Sequence, residues 1–177
     1  MAKDTAPKRY HPLHVILHWL VASLTFFLLY LGLFVFPNTP NSQEVQLLWL
    51  HKTAGILLGF IVVVRLLTRY VFKRPEPADA GHPALNFASR AIHFLLYVGI
   101  FTMMFTGDSL DRAYGLTGIL AGDGNKIPDD LFIYPQRLVH GYLGYVLAAL
   151  IVLHISAALY HQFIRRDNLI SRMWFGK

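Results

Sequence analysis

Residues 20–36 read LVASLTFFLLYLGLFVF, and no helical face of that run carries enough polar groups to meet water. The run belongs to an apolar stretch over 13–36, and three more follow at 47–72, 91–107 and 138–163. Each approaches or exceeds the roughly 20 residues that cross a bilayer as a helix. Lipid offers no partner to an open backbone, so each segment is expected to close its hydrogen bonds internally. The second segment is impure, since Lys52, Arg65 and Arg69 lie within it. The pattern predicts an all-α membrane protein, a four-transmembrane-helix bundle forming a single domain over 1–177. A soluble helical bundle does not fit a chain that is 55% hydrophobic with mean hydropathy +0.44.

The connections agree. PNTPNSQE is short and rich in turn formers, and KRPEPADAGHP, with three prolines, reads as an extended, mobile linker. Residues 108–136 make the only long loop, with room for a short helix. The first apolar run is too long for a secretory signal and has no small-residue cleavage site, so it is expected to stay in the membrane.

The net charge of +6 would suit nucleic acid if it formed a patch, but its distribution follows topology instead. One end of the bundle collects Lys3, Lys8, Arg9, Lys73, Arg74, Arg90, Arg165, Arg166, Arg172 and Lys177, with Arg65 and Arg69 just inside the second helix. The other end has Lys52, Arg112, Lys126 and Arg137 beside Glu44, Asp108, Asp111, Asp123, Asp129 and Asp130. The positive-inside rule then places both termini in the cytoplasm, as expected of a multi-pass protein of the bacterial inner membrane, and no nucleic-acid partner is expected.

Ionisable groups at membrane depth are costly and usually functional, so the histidines carry the most information. His140 and His154 are fourteen residues apart. On an α-helix they project from nearly one face, offset by about 40° and separated by ~21 Å along the axis. One metal ion cannot join them; two stacked cofactors can. His51 enters the second helix at the depth of His140, and His18 lies as deep in the first helix as His154 does in the fourth. This yields an acidic-end pair, His51–His140, and a basic-end pair, His18–His154, which is what two non-covalent b haems need for electron transfer at a closed iron. With no cysteine, disulfides, thiolate metal sites and covalent haem attachment are excluded.

Alternatives compete at the basic end. His14 shares a face with His18, one turn nearer the surface. His93 is three residues from Arg90 and reads as too shallow to face His154. His11 and His82 sit beside prolines and read as solvated loop residues, and Met103 and Met104 as packing. Gly55 and Gly59 follow His51 at the same intervals as Gly144 and Ala148 follow His140, leaving stripes that admit either a flat macrocycle or a close helix. Arg65, fourteen residues after His51, reaches the basic-end level, where a haem propionate or a quinone carbonyl would suit it as well as snorkelling would. Lys52 has the same option at an acidic-end propionate.

The elements HWL at 18–20, LHKTAG at 50–55, VVRLLTR at 63–69 and HGYLGYVL…LH…ALYHQF…DN…RM from His140 to Met173 resemble the bacterial cytochrome b561 family over nearly the whole chain. The resemblance implies a dihaem membrane cytochrome b with the four ligands above. It also implies electron exchange with membrane quinone, in some members from superoxide at the outer face. His161 matches a position associated with the quinone end, although Tyr160-His161 replaces the family's more usual His-His pair, and the acidic outer loop does not suit a superoxide-collecting surface.

The expected function is therefore a dihaem electron carrier, an oxidoreductase whose turnover on a substrate of its own is left open. It would connect an outer-face donor, such as a periplasmic partner or superoxide, to the quinone pool. A haem-bearing anchor of a hydrogenase- or formate-dehydrogenase-like complex is a second class. A haem-free histidine transporter is a third, but it would need several histidines within one site.

Overall fold

The computed structural model describes residues 8–40, 44–124, 126, 128 and 133–174, apart from the Glu44 side chain. Lys3, Asp129, Asp130 and Lys177 lie outside them. Among the described residues all regular structure is helical. Helices α1 (Pro12–Tyr30), α2 (Glu44–Val71), α3 (Pro83–Tyr114) and α5 (Pro135–Leu159) are the long elements, and α4 (Leu116–Leu120) is one short turn in the loop before α5. With their continuations, four segments are long and apolar enough to span a membrane: Pro12–Asn38, Val45–Val71, Pro83–Tyr114 and Pro135–Arg165.

Local chemistry sets the helix ends. Pro12, Pro83 and Pro135 open α1, α3 and α5, where a missing N–H costs nothing and φ is already helical. His11 and His82 are caps rather than free loop residues. Their Nδ1 atoms accept from Leu13 N at 3.3 Å and Ala84 N at 3.2 Å, and His11 also stacks on Phe72. Gly115, at φ 66°, ends α3 in the left-handed conformation that glycine adopts without strain. Two helices change pitch near their ends: α1 passes through a π turn at Leu31–Val35, and α5 through another at Tyr160–Arg165.

Consecutive long helices run in opposite directions, with the most extensive pairings between α1 and α2 and between α3 and α5. Val21, Leu58, Val62, Ile100 and Leu147 form the central core, one or two from each long helix, with Met103 and Met104 packed against it. A second cluster of Leu110, Tyr114 and Leu116 closes the acidic end. Large apolar side chains such as Phe60, Phe105, Tyr142 and Phe163 are exposed around the bundle, which suits a surface facing lipid.

Helix α3 differs most from expectation, running from Pro83 where the apolar stretch begins at 91, and to Tyr114 where that stretch ends at 107. Its extra turns carry Arg90, Asp108, Asp111 and Arg112, which lie beyond the apolar stretch and so were invisible to a hydropathy reading. The linker at 72–82 is extended as expected, and it is tethered: Arg165 donates to the Asp79 carbonyl at 3.2 Å and Arg172 to the Glu76 carbonyl at 2.9 Å. The C-terminal 3-10 turn, Leu169–Met173, completes this basic-end cap. Its Met173 carbonyl accepts from Trp19 Nε1 at 2.8 Å, and its Arg172 carbonyl from Tyr10 N at 3.2 Å.

Candidate functional site

The core separates two histidine levels, and α5 contributes to both. At the acidic end the rings of His51 and His140 lie 6.1 Å apart between centroids, at 68° to each other. At the basic end His18 and His154 are 6.3 Å apart at 71°. An imidazole nitrogen binds a divalent metal at about 2 Å and lies about 1 Å from its ring centre, so two rings facing across one metal stand about 6 Å apart. Both pairs have that separation.

Hydrogen bonds at Nδ1 decide which nitrogen of each ring is left for a metal. The Thr106 hydroxyl donates to the Thr102 or Met103 carbonyl, 2.9 and 3.1 Å away, and lies 2.9 Å from His140 Nδ1. With its hydrogen committed to α3, Thr106 accepts from His140 Nδ1–H, which leaves Nε2 with its lone pair free. Gly107 stands beside the same ring: a methyl group there would lie 3.4 Å from His140 Cε1. His51 Nδ1 is buried without a hydrogen-bond partner, and its ring meets Phe36 edge-on. Sequence reasoning missed Thr106 and Gly107. Nothing in their spacing marks them, because their role depends on α3 packing against α5.

The basic level is more crowded. His93 lies 5.0 Å from His154 at 86°, so the expectation that it is too shallow fails. Arg90 does not mark the helix entrance; α3 begins about two turns earlier. His93 Nδ1 donates to the Ser89 carbonyl at 2.6 Å, which also frees its Nε2. Its 5.0 Å separation is about an ångström short of two coaxial metal bonds. Spacing therefore favours His18 as the partner of His154. His14 is occupied elsewhere, buried with Nδ1 2.8 Å from the Thr68 hydroxyl.

Arg65 reaches this level as its register implied. It donates to Tyr97 Oη at 2.7 Å, and its Nη2 lies 3.2 Å from His18 Nδ1. Its Nε is buried without a partner, and no carboxylate pairs with it among the described ion pairs. An imidazole that held a metal through Nε2 would keep Nδ1–H, which a guanidinium cannot accept. A ligated His18 therefore requires Arg65 to turn toward another acceptor, and the orphaned Nε shows that it has donors to offer an anion.

The other expected residues fall as follows. Lys52 Nζ is held by Asp111 at 2.9 Å and Thr117 at 2.6 Å, joining α2 to α3 and α4, so its charge is already matched. Asp108 pairs with Arg112. His161 is buried, with Nδ1 2.5 Å from Asp167 Oδ2. Gly55 borders open space, Gly59 accommodates Met104, and Gly144 meets Leu33. Of these three glycines, Gly55 alone borders such space; Gly59 and Gly144 serve close packing.

Comparison with known proteins bears on what this four-helix chain is. Residues 9–176 match the family described as Prokaryotic cytochrome b561. The chain is 28% identical to Cytochrome b561 homolog 2 of Escherichia coli K12 over 98% of its own length and 95% of the relative's. It is 25% identical to the Probable superoxide oxidase CybB of Yersinia pestis, covering 94% and 96%. Cytochrome b561 homolog 1 of E. coli K12 is 24% identical, covering 93% and 96%. The chain is thus a multi-pass bacterial membrane cytochrome of the b type, and it belongs to the prokaryotic cytochrome b561 family.

Proposed function

We propose that this single-domain protein holds two b haems in the inner membrane and carries electrons between a donor at the acidic, outer end and quinone at the basic, cytoplasmic end. The observation that carries this reading is the pair of ring separations, 6.1 and 6.3 Å, at two depths fourteen residues apart on α5. His51 and His140 would ligate one iron, His18 and His154 the other. When bound, such groups would supply one-electron transfer at an iron held by two histidines. The chain's part is to hold the rings, exclude water and place charge.

Thr106 orients His140, and the central core keeps the levels apart and dry. Arg65 offers its unpaired donors to a propionate or a quinone carbonyl at the basic level. Lys52 can serve an acidic-end propionate only in competition with Asp111. His161, buried at the end of α5, is the polar group for the quinone head, since quinone chemistry exchanges protons close to an interface. The positive-inside rule supports cytoplasmic termini.

One relative is named as a probable superoxide oxidase. In this chain Asp108 and Asp111 are paired with Arg112 and Lys52, which offsets two of the cations that could draw an anion to the acidic end. A neutral small donor or a protein donor suits it better.

The reading is tested by a pyridine haemochrome assay on the purified chain together with reduction by a soluble quinol. Two haems per chain, both reducible by quinol, are expected; one haem or none overturns the dihaem assignment.

A further inference from the structure

Beyond the last turn of α5 the chain reverses through two non-glycine residues in the left-handed region, Arg166 at φ 56° and Asn168 at φ 54°. Cβ crowding disfavours this conformation for both. The reversal places Asp167 beneath the helix end, where its N–H donates to the His161 carbonyl at 3.3 Å and its Oδ2 meets His161 Nδ1 at 2.5 Å. Arg165, one turn beyond His161, donates to the Asp79 carbonyl. Side-chain exposure falls from 28% at Asp167 to 8% at His161, so the pair connects the surface with a buried imidazole. Asp167 Oδ1 is itself buried without a partner, leaving acceptor capacity on the carboxyl.

From this geometry we infer that Asp167 is the positioning residue of His161: it takes the Nδ1–H and leaves Nε2 to exchange protons with a quinone oxygen. The inference rests on the quinone reading above. Reduction of a quinone to a quinol takes two electrons, delivered one at a time from the haem level, and two protons. With Nδ1–H held by Asp167, Nε2 first takes up a proton from the aqueous side, which Asp167 reaches, and the resulting imidazolium gives that proton to the quinone oxygen. Quinol oxidation runs the same route in reverse. An Asn at 167 can present an amide N–H to Nδ1, which moves the imidazole proton to Nε2 and reverses the roles of the two nitrogens.

The test uses reduced, haem-loaded protein labelled with ¹⁵N-histidine. The signal lost in His161→Ala should show the Nδ1-protonated tautomer in the wild type and in Asp167→Glu, and the Nε2-protonated one in Asp167→Asn. With a detergent-soluble quinol, Asp167→Asn should slow haem reduction about tenfold or more with haem spectra intact, and Asp167→Glu should restore it. An Nε2-protonated wild-type signal overturns the inference, as does an Asp167→Asn rate within about twofold of wild type while His161→Ala is slow. If Asp167→Asn fails to retain haem, the wild-type tautomer decides alone. Normal quinol kinetics in His161→Ala would remove the quinone reading itself.

Discussion

The two histidine levels have nearly the same ring separation and different surroundings. At the acidic end His140 faces a neutral hydroxyl, Thr106, and a glycine, and the charge that acts on His51 and His140 is that of Arg137, one turn away at the mouth of α5. At the basic end His18 and His154 share space with His93, and the buried guanidinium of Arg65 lies against His18 and Tyr97. The same register on α5 thus builds two sites of different polarity. A buried positive charge stabilises the reduced state of a nearby haem, so the basic-end haem should have the higher potential, and electrons should run downhill from the acidic end toward the quinone.

Removing a ligand is the largest perturbation of this comparison. His51→Ala or His140→Ala should halve the haem content and spare the basic-end spectrum, and His154→Ala should do the converse. His18→Ala and His93→Ala decide the crowded level by haemochrome assay. Retention of both haems without His18, together with loss of one without His93, would show that tautomer outweighs spacing there.

Arg65→Met should come next. It should lower the midpoint potential of the basic-end haem alone, by about 100 mV, since a buried charge at this range is worth roughly 2 kcal/mol. Redox titration followed optically checks it, and Arg65→Lys should recover part of the shift. Equal shifts at both levels would erase the contrast drawn above.

Thr106→Val should act at the acidic end only. It leaves His140 Nδ1–H without its acceptor, and such outer partners typically matter about tenfold or more in retention of a bound metal group. Haem release under mild detergent challenge should quicken, and Thr106→Ser should behave as wild type.

The smallest effect concerns the basic-end cap. The Asn86 side chain at 2.8 Å and the Gly81 N–H at 3.0 Å hold the Asp79 carboxyl below the usual carboxylate range. A depressed folded pKa means that this contribution is fully present above the unfolded value of about 3.9 and is lost as pH falls through the folded one. The protection of backbone amides over residues 72–86, corrected for the intrinsic pH dependence of exchange, should therefore be unchanged from pH 8 to 5 and fall only at lower pH. Asp79→Asn should remove that acid sensitivity.

Much of this molecule follows from periodicity and length. The four spanning segments, the two depths at which histidine rings approach one another, and the depth of Arg65 can all be read from residue intervals. A bilayer requires helices, and a helix converts sequence distance into depth and face. Other features could not be read that way. The true length of α3, and with it the depth of His93, depends on polar turns that continue beyond the apolar stretch. The engagement of Lys52 by Asp111 and Thr117, the Thr106 contact and the Asp167 reversal each join residues on different elements or across a turn. Hydrogen bonds are short and directional, so they form only after packing has set which faces meet. The sequence by itself determined where the imidazoles of α1, α2 and α5 lie along the membrane normal, because that coordinate is a count of residues along a helix. Tertiary structure alone decided which nitrogen each imidazole offers and which charges stand beside it, because those depend on contacts across helices that no interval along one chain encodes.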